Sequence, residues 1–505
     1  MRIAADRHGI RTVIVTVMSR YTFTPKLDPN RDRNRRIIIG VIVFGALVIL
    51  GIALLIFGIT QLTGNRTSAE PTTEFVPQVT IFAPSGASQP TQPDQPAQPA
   101  QPGQPADGNA PTASTPAATM DPRGKIEGTA DFSCPNPRPA PSNFGYGIQS
   151  NWSVGDIGYW NTVMSEQLKL NWTRAKVNWY EFEPEKGKPS GQYAFLDAFV
   201  GDANQKGLNI VLTITQPPQW TRVTQPKKAG DRPSPPENFN EGARFFGLIA
   251  ARYKGCIQAV EVLNETNLDR EWAIASGELK AADYVEFLKV VTPVLRQTDP
   301  TLVIIMAAPS PTGANIPGAV QDDFAWVEDF VKAGGVDLVD CIGVHLNGYN
   351  MPPDKRWDEG YDDPTAKFRG PFPNGGNPHH SWSFISTIEG YRERTNKPMC
   401  VTEFGWASTE NLTRKDGSPI QGFPPGFDFA QDNTEKEQAE WIVKSFSMLR
   451  ELGYVRFASV FNLDFIQKIG ESPDEPRGDP ALYSIVRQDG APRPAFEALR
   501  DMQKP

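Results

Sequence analysis

Strand and helix patterns alternate throughout residues 128–505, and this alternation restricts the fold more than any other feature of the chain. Short runs rich in β-branched and aromatic residues recur at intervals of about 30 to 60 residues. The eight runs are FGYGIQ (144–149), WTRAKVN (172–178), NIVLTIT (209–215), QAVEVL (258–263), LVIIMA (302–307), CIGVH (341–345), MCVTE (399–403) and VRFASVF (455–461). Several are apolar throughout, which is typical of strands that are buried on both faces.

Amphipathic helix patterns separate these runs. In residues 281–297 apolar side chains repeat at spacings of three and four, as they do on one face of a helix. Another such pattern follows Thr434 and Glu437, which have the spacing of a capping box. Strand and helix alternating eight times predict an α/β fold of the (β/α)8 barrel type over residues 128–505, and a doubly wound open sheet is the alternative.

The composition excludes several classes of protein. With 39% hydrophobic and 21% charged residues, the chain is not a multi-span membrane protein. Four Cys without CxxC spacing are too few for a disulfide scaffold, and their pairing is left open. Residues 1–36 carry a net charge of +6, which leaves −14 on the remainder. An acidic body of this kind repels phosphate backbones, so we predict no nucleic-acid partner.

Histidine usage argues against a metal or cofactor site. The chain has four His, at positions 8, 345, 379 and 380, so a three-histidine site would need nearly all of them. His379 and His380 lie in a Gly/Pro-rich loop and are expected to face solvent. We therefore predict no metal and no cofactor.

A single membrane anchor is predicted at residues 37–61. The run from Ile37 to Ile59 has no charged residue and is long enough to cross the ~30 Å hydrocarbon core. It exceeds the roughly 7 to 15 residues of a signal-peptide core, so an uncleaved anchor is favoured over a cleaved signal. Arginines abut its N-terminal end, so the positive-inside rule keeps the basic tail, residues 1–36, in the cytoplasm and the barrel outside.

A disordered, Pro/Gln-rich linker is predicted at residues 62–127. From Gln89 to Pro105 a proline stands at every third position, which favours polyproline II. The segment lacks the large apolar groups that a core requires. It would act as a semi-rigid spacer, and an arbitrary disordered tether would have the same consequence.

Two glutamates end opposite strands of the predicted barrel. Glu265 follows the fourth run and Glu403 closes the seventh. Catalytic groups of such barrels lie at the C-terminal ends of strands, and strands four and seven face each other across a ring of eight. Cleavage of a glycosidic bond needs two carboxyls, one protonated and one ionised, and retention places them ~5 to 5.5 Å apart. A single rim glutamate is more often a cap or an ion-pair partner, but two at these positions favour catalysis.

In these motifs the chain resembles clan A of the glycoside hydrolases, which are retaining enzymes built on this barrel. The Asn264-Glu265 pair matches the end of strand four, and Thr402-Glu403-Phe404-Gly405-Trp406 matches the end of strand seven. The resemblance implies the acid/base role for Glu265 and the nucleophile role for Glu403. It extends over almost all of residues 140–505, and the closing segment looks like that of family 5 and family 39-like enzymes.

The chain departs from the clan's pattern at two positions. The spacing from His345 to Tyr349 is wider than usual, which puts the role of Tyr349 in doubt. Strand eight ends in Phe461-Asn462, where many relatives have a tryptophan, so the floor of the sugar site is in doubt as well.

The chemistry of neighbouring residues indicates supporting roles. Asn264 could donate its amide to the sugar 2-hydroxyl, or it could be a turn residue. Arg174 could hold Glu403 ionised, or it could form a structural ion pair. His345 could orient the cluster, or it could be a satisfied barrel histidine.

Aromatic residues in or beside the rim loops could stack on pyranose rings. They are Trp220, Trp272, Tyr349, Trp357 and Trp406. Any one of them is more often packing than a platform, and Trp220 and Trp406 are the preferred candidates.

We predict a membrane-anchored enzyme that hydrolyses O-glycosidic bonds of an extracellular, neutral polysaccharide or oligosaccharide with retention of configuration. Its partners would be this carbohydrate and the membrane. A catalytically silent barrel that binds glycan at the cell surface would keep the aromatics without needing both glutamates. A metal-dependent hydrolase or an aldolase on the same barrel is disfavoured by the few His and by the absence of a Lys clearly placed at a strand end.

Overall fold

The computed structural model describes residues 125–222, 235–273, 278–359, 368–369, 372–373 and 379–505. The predicted tail, anchor and all but the last three residues of the predicted linker lie outside the described residues. Among the described helices, none has both the length and the hydropathy that crossing a bilayer requires.

Eight parallel strands form the barrel, and each coincides with one of the eight predicted runs. They are β1 (Gly145–Gln149), β2 (Trp172–Asn178), β3 (Asn209–Thr215), β4 (Ala259–Val262), β5 (Val303–Met306), β6 (Ile342–Gly348), β7 (Met399–Trp406) and β8 (Val455–Val460). They pair in the order β5-β4-β3-β2-β1-β8-β7-β6. A parallel bridge between Ile305 and Cys341 joins the two ends, with the Met306 amide 3.0 Å from the Cys341 carbonyl. This near-closure confirms the (β/α)8 barrel over the open sheet.

One main helix follows each strand. These are α1 (Ile157–Thr162, continued by a π-helical turn, Val163–Gln167), α2 (Gln192–Gln205), α3 (Phe239–Arg252), α4 (Ala281–Thr298), α5 (Asp323–Lys332), α6 (Phe384–Arg394), α7 (Glu435–Glu451) and α8 (Pro494–Asp501). The capping box predicted at Thr434 and Glu437 is present at the start of α7. Single helical turns lie at Trp179–Phe182, Gln219–Thr221, Gly335–Leu338, His380–Trp382, Asp428–Gln431, Phe465–Lys468 and Asp479–Leu482, and Phe368–Arg369 pairs with Phe372–Pro373.

The barrel interior changes from apolar to polar along the strands. Its lower layer is a cluster of Trp172, Val211, Ala259, Val303, Ile305, Cys341, Cys400 and Phe457. Because side chains alternate along a strand, the inward residues two positions later on β2, β3 and β4 form the next layer. These are Arg174, Thr213 and Glu261, and all three are fully buried. The polar layer is the floor of the site described below.

Two disulfides connect distant parts of the chain. Cys341, directly before β6, is bonded to Cys400 in β7. Cys134, in the segment before β1, is bonded to Cys256, between α3 and β4. The sequence left this pairing open, since spacing alone does not determine connectivity.

Candidate active site

Arg174 is the centre of the polar layer. Its Nη2 donates to Glu261 Oε2 at 2.8 Å, and its Nε lies 2.8 Å from Thr213 Oγ1. Burial alone would raise the pKa of Glu261, but the Arg174 guanidinium, with His345 and Thr213, holds this pKa below its ordinary value. Burial opposes the charged form of Arg174 too, and the two carboxylates Glu261 and Glu403 raise its pKa on balance.

The other edge of the Arg174 guanidinium faces the rim. Its Nη1 donates to Glu403 Oε1 at 2.5 Å and to Gln149 Oε1 at 2.6 Å, and its Nη2 donates to Asn264 Oδ1 at 3.0 Å. The guanidinium therefore links the buried Glu261 to Glu403 and Asn264. A charge-assisted hydrogen bond of this kind holds a carboxylate in one orientation.

Glu403 reaches the interior because β7 is irregular. Pairing shifts register between Val401 and Glu403 on the β6 side and between Val401 and Phe404 on the β8 side. A bulge inserts one extra residue and re-aims the side chains beside it. Thr402, which donates to Glu261 Oε1 at 2.8 Å, and Glu403 therefore both point into the barrel although they are adjacent in sequence.

Glu265 is positioned by strained backbone after β4. Leu263 has a φ of 73° and Glu265 a φ of 40°, a conformation that costs a residue with a side chain roughly 1–3 kcal/mol. Hydrogen bonds hold this turn in place. The Leu263 amide donates to the Ile214 carbonyl at 3.1 Å, and the Glu265 amide donates to the Ala308 carbonyl at 3.0 Å.

His345 stands between the two glutamates. Its Nδ1 lies 3.2 Å from Glu265 Oε1, and its Nε2 lies 3.7 Å from Glu403 Oε1. Both carboxylates and the imidazole are buried. Burial lowers the pKa of His345, but the negative charges of Glu403 and Glu265 outweigh it and raise this pKa. Opposite strands thus bring the two predicted glutamates to one imidazole ring.

Glu265 has a cationic partner that the sequence reasoning did not anticipate. Arg270 Nη2 lies 2.7 Å from Glu265 Oε2, and the Arg270 side chain is 62% exposed. Burial by itself would raise the pKa of Glu265, but the Arg270 guanidinium and His345 bring this pKa well below its ordinary value. A general acid usually has a raised pKa in the free enzyme, and Glu265 with Arg270 in place has the opposite.

An open cavity of about 680 Å³ lies above this cluster. Glu265, Glu403, Asn264 and Tyr349 are part of its lining, and the Tyr349 ring packs edge-on against Phe429, with 4.8 Å between the ring centroids. From below, Arg174 contacts Glu403, and His345 contacts both glutamates. Other aromatic residues in the walls are Phe427, Phe461, Phe465 and Tyr483. A cavity of this size, lined by both aromatic rings and carboxylates, can hold a small sugar chain.

Two further acids of the cavity were missed. Burial raises the pKa of Glu271, and its Oε1 accepts from the Asn264 amide at 3.4 Å. Burial also raises the pKa of Asp479, which is another residue of the cavity lining. Neither has a signal in sequence, because loop conformation brings both to the cavity. Glu261, in contrast, had a signal in the sequence, since it is the only charged residue in the apolar run QAVEVL.

The preferred aromatic platforms lie elsewhere. Trp406 is fully buried, and its indole donates to the Met351 carbonyl at 2.9 Å. Alternation after the bulge turns Gly405 inward and Trp406 toward the helices, where it stacks on Phe384. This placement corrects the expectation that Trp406 stacks on sugar, because no face of its ring is free.

The remaining tryptophans are also outside the cavity lining. Trp220 packs edge-on against Trp179 and donates to the Glu183 carbonyl at 2.9 Å. Trp272 is fully buried, and Trp357 is 40% exposed. The cavity's aromatic walls are thus phenylalanines and tyrosines.

His379 and His380 are not the solvent-facing pair that we expected. His380 is buried, with its Nε2 3.0 Å from Asp323 Oδ1. His379 is partly exposed, with its Nε2 3.2 Å from Asp322 Oδ2. The N-terminus of α5 supplies the two aspartates, a contact that the loop composition did not reveal.

No protein-family model and no curated protein matches the chain. Similar solved structures include a family 39 glycoside hydrolase from Bacteroides cellulosilyticus WH2, with 18% identity over 71% of this chain and 63% of that chain and a TM-score of 0.49. Xylanase 10B from Thermotoga maritima has 14% identity over 71% of this chain and 94% of that chain, with a TM-score of 0.46. An exo-β-1,4-mannosidase from Opitutaceae bacterium strain TAV5 has 15% identity over 74% of this chain and 62% of that chain, with a TM-score of 0.48.

This chain spans less than two thirds of the length of the first and third of these proteins. At such identities and TM-scores the likenesses assign no activity to it.

Proposed function

We propose that this chain is a retaining glycoside hydrolase in which Glu403 is the nucleophile and Glu265 the acid/base. One observation carries the proposal: two buried carboxylates from opposite strands converge on the ring of His345 at the floor of an open cavity. Double displacement uses such a pair at the C-terminal rim of a barrel.

Arg174 gives the two carboxylates different surroundings. The Arg174 guanidinium is held by Glu261 and in turn donates to Glu403. This hydrogen bond orients Glu403 for attack on the anomeric carbon. Glu403 would form a glycosyl ester as the leaving oxygen takes a proton from Glu265. Glu265 would then take a proton from water, and the water oxygen would displace Glu403.

The acid step requires Arg270 to move. While its guanidinium lies against Glu265 Oε2, Glu265 is held as the carboxylate and has no proton to donate. The Arg270 side chain is mostly exposed, so an entering sugar can displace it without disturbing the core. Substrate binding would thus raise the proton affinity of Glu265 at the moment when it must act as an acid.

We propose an uncharged carbohydrate as the substrate and an extracytoplasmic location. Glu271 and Asp479 add to the two central glutamates, and Lys176 and Arg270 are the cations of the lining. Acids therefore outnumber bases, which disfavours uronate-rich chains. All four cysteines form disulfides, a state that an oxidising compartment maintains. Residues 37–61 would anchor the enzyme in the cell membrane.

Hydrolysis of a panel of aryl glycosides tests the proposal. Wild type should release product of retained configuration by NMR, and Glu403→Ala should lose turnover by orders of magnitude. Glu265→Ala should lose less with activated aryl leaving groups, and azide should partly restore its turnover. Glu440→Ala, an exposed position on α7, is the matched control and should retain full activity.

Three results would contradict the proposal. Product of inverted configuration would overturn the assigned roles, and unchanged activity of Glu403→Ala would remove the nucleophile. Glycan binding by a folded wild type that hydrolyses none of the panel would indicate the silent barrel instead.

A further inference from the structure

A second cluster of polar side chains lies where two rim loops meet. Asp322 caps the N-terminus of α5, and His379 and His380 precede α6. Each residue offers one potential ligand atom, and these atoms lie within 4.8 Å of one another. The cluster takes no part in the glycosidase mechanism, so its purpose requires a separate explanation.

One carboxylate oxygen of Asp322 takes no part in capping the helix. Its Oδ1 accepts from the amides of Phe324 at 3.0 Å and Ala325 at 3.3 Å, as a helix cap does. Its Oδ2 is buried, accepts from no backbone amide and pairs with His379 Nε2 at 3.2 Å. Two ligands of one tetrahedral metal, each at about 2.0 Å, stand about 3.3 Å apart. The contact therefore has the spacing of a ligand pair.

His380 is held as metal-binding histidines are. Its Nε2 lies 3.0 and 3.1 Å from the two oxygens of Asp323, which is fully buried and also accepts from the Tyr391 hydroxyl at 2.8 Å. Because Asp323 accepts a hydrogen bond from Nε2–H, the proton of the neutral ring is on Nε2 and the Nδ1 lone pair is available. A carboxylate on the far nitrogen is the usual support of a ligating imidazole. Stacking on Phe324 fixes the ring plane.

His379 can present its Nε2 by exchanging one proton. Its Nδ1 accepts from the Ser381 amide at 3.2 Å and lies 3.1 Å from the Ser381 hydroxyl. With the proton on Nε2, the ring faces Asp322. When a metal takes Nε2, that nitrogen gives up its proton and Nδ1 is protonated instead. The Nδ1–H then donates to the Ser381 hydroxyl oxygen, in place of the hydrogen bond from the Ser381 amide, and the ring stays neutral.

We propose that Asp322 Oδ2, His379 Nε2 and His380 Nδ1 bind one divalent transition metal of the zinc class. Two imidazoles and one carboxylate suit zinc rather than calcium or magnesium, which prefer oxygen ligands alone. The metal ties the loop after β5 to the segment before α6. Ser310, Pro311 and Thr312 of that loop line the catalytic cavity, so the metal stiffens one of its walls.

Calorimetric titration of the untagged full chain with ZnCl2, after treatment with EDTA and dialysis, tests the site. Wild type should bind one equivalent and gain in Tm. His379→Ala should lower the affinity at least about tenfold, and Asp323→Asn, which keeps all three ligands, by about 10 to 100-fold. His8→Ala, at the histidine farthest in sequence, should bind like wild type. Circular dichroism verifies the folding of each variant.

Absence of saturable binding by wild type would overturn the proposal and leave these residues as structural ion pairs. Equal affinity of His379→Ala and wild type, or loss of binding in His8→Ala, would overturn it as well. These readouts need no glycosidase substrate, so the metal site and the proposed function fail or stand separately.

Discussion

Arg270 governs the proton on Glu265 more directly than any neighbour in the cavity. Its guanidinium is 2.7 Å from one oxygen of Glu265, and His345 contacts the other. In the mechanism that we propose, Glu265 is the general acid and must be protonated to act, so kcat/KM should fall as pH rises through its pKa in the free enzyme. A partner that lowers the pKa of Glu265 therefore lowers the pH at which kcat/KM begins to fall on the alkaline side.

We expect Arg270→Met to move the alkaline limb of the kcat/KM profile to higher pH. Without the guanidinium, fewer positive charges oppose the effect of burial, so the pKa of Glu265 rises. Profiles measured with one aryl glycoside over a wide pH range would show the shift. Arg356→Met removes an exposed guanidinium outside the cavity lining and should leave the profile unchanged. An unaltered alkaline limb in Arg270→Met would mean that the contact does not control the acid.

The cross-links between elements are the two disulfides. The Cys134–Cys256 bond ties the segment before β1 to the chain ahead of β4 across a separation of 122 residues. The Cys341–Cys400 bond joins neighbouring strands across 59 residues, next to the closure of the barrel. A bond across a long separation restricts the unfolded chain strongly.

The double variant Cys134→Ala/Cys256→Ala should lose about 2–4 kcal/mol of the free energy of unfolding while keeping its activity. The bond lies outside the cavity lining, so only stability should change. Urea denaturation of wild type and variant measures the loss. Reductant should destabilise wild type further than the variant, which retains one disulfide. Equal stability of the two proteins would show that the bond is absent or without effect.

At the scale of the whole molecule, the chain divides into an acidic barrel and an N-terminal region of opposite charge. The uncharged run from Ile37 to Ile59, behind a basic flank, predicts attachment to a membrane. The disulfides agree with a barrel outside the cytoplasm.

Cell fractionation should leave the full chain in membranes after washing with high salt. Protease added from outside should release the barrel, because a disordered linker of the predicted kind is cut more readily than a folded barrel. Recovery of a soluble mature form that begins near residue 70 would convert the predicted anchor into a signal peptide. A barrel protected from external protease would contradict the predicted orientation.

The sequence by itself determined the barrel and the positions of its two rim glutamates. The hydrophobic repeat of a segment is a local property, and it differs between strands and helices. Eight strand-like runs separated by helix-like segments therefore specify the type of each element and the position of each strand in the order around the barrel. Rank then determines which strand ends face each other, and Glu265 and Glu403 follow from it. Because side chains alternate along a strand, an inward Glu403 also implies that Trp406, three residues later, points outward.

Only the tertiary structure decided what surrounds these glutamates. Loops and helix ends supply Arg270 beside Glu265, Asp479 in the cavity lining and the two aspartates beside His379 and His380. The paths of these segments depend on packing rather than on local period. The disulfide pairing depended likewise on which segments the closed barrel brings together. Charge partners, and with them the pKa of Glu265, are therefore properties of the folded molecule, since electrostatic interactions depend on distance and burial rather than on sequence position.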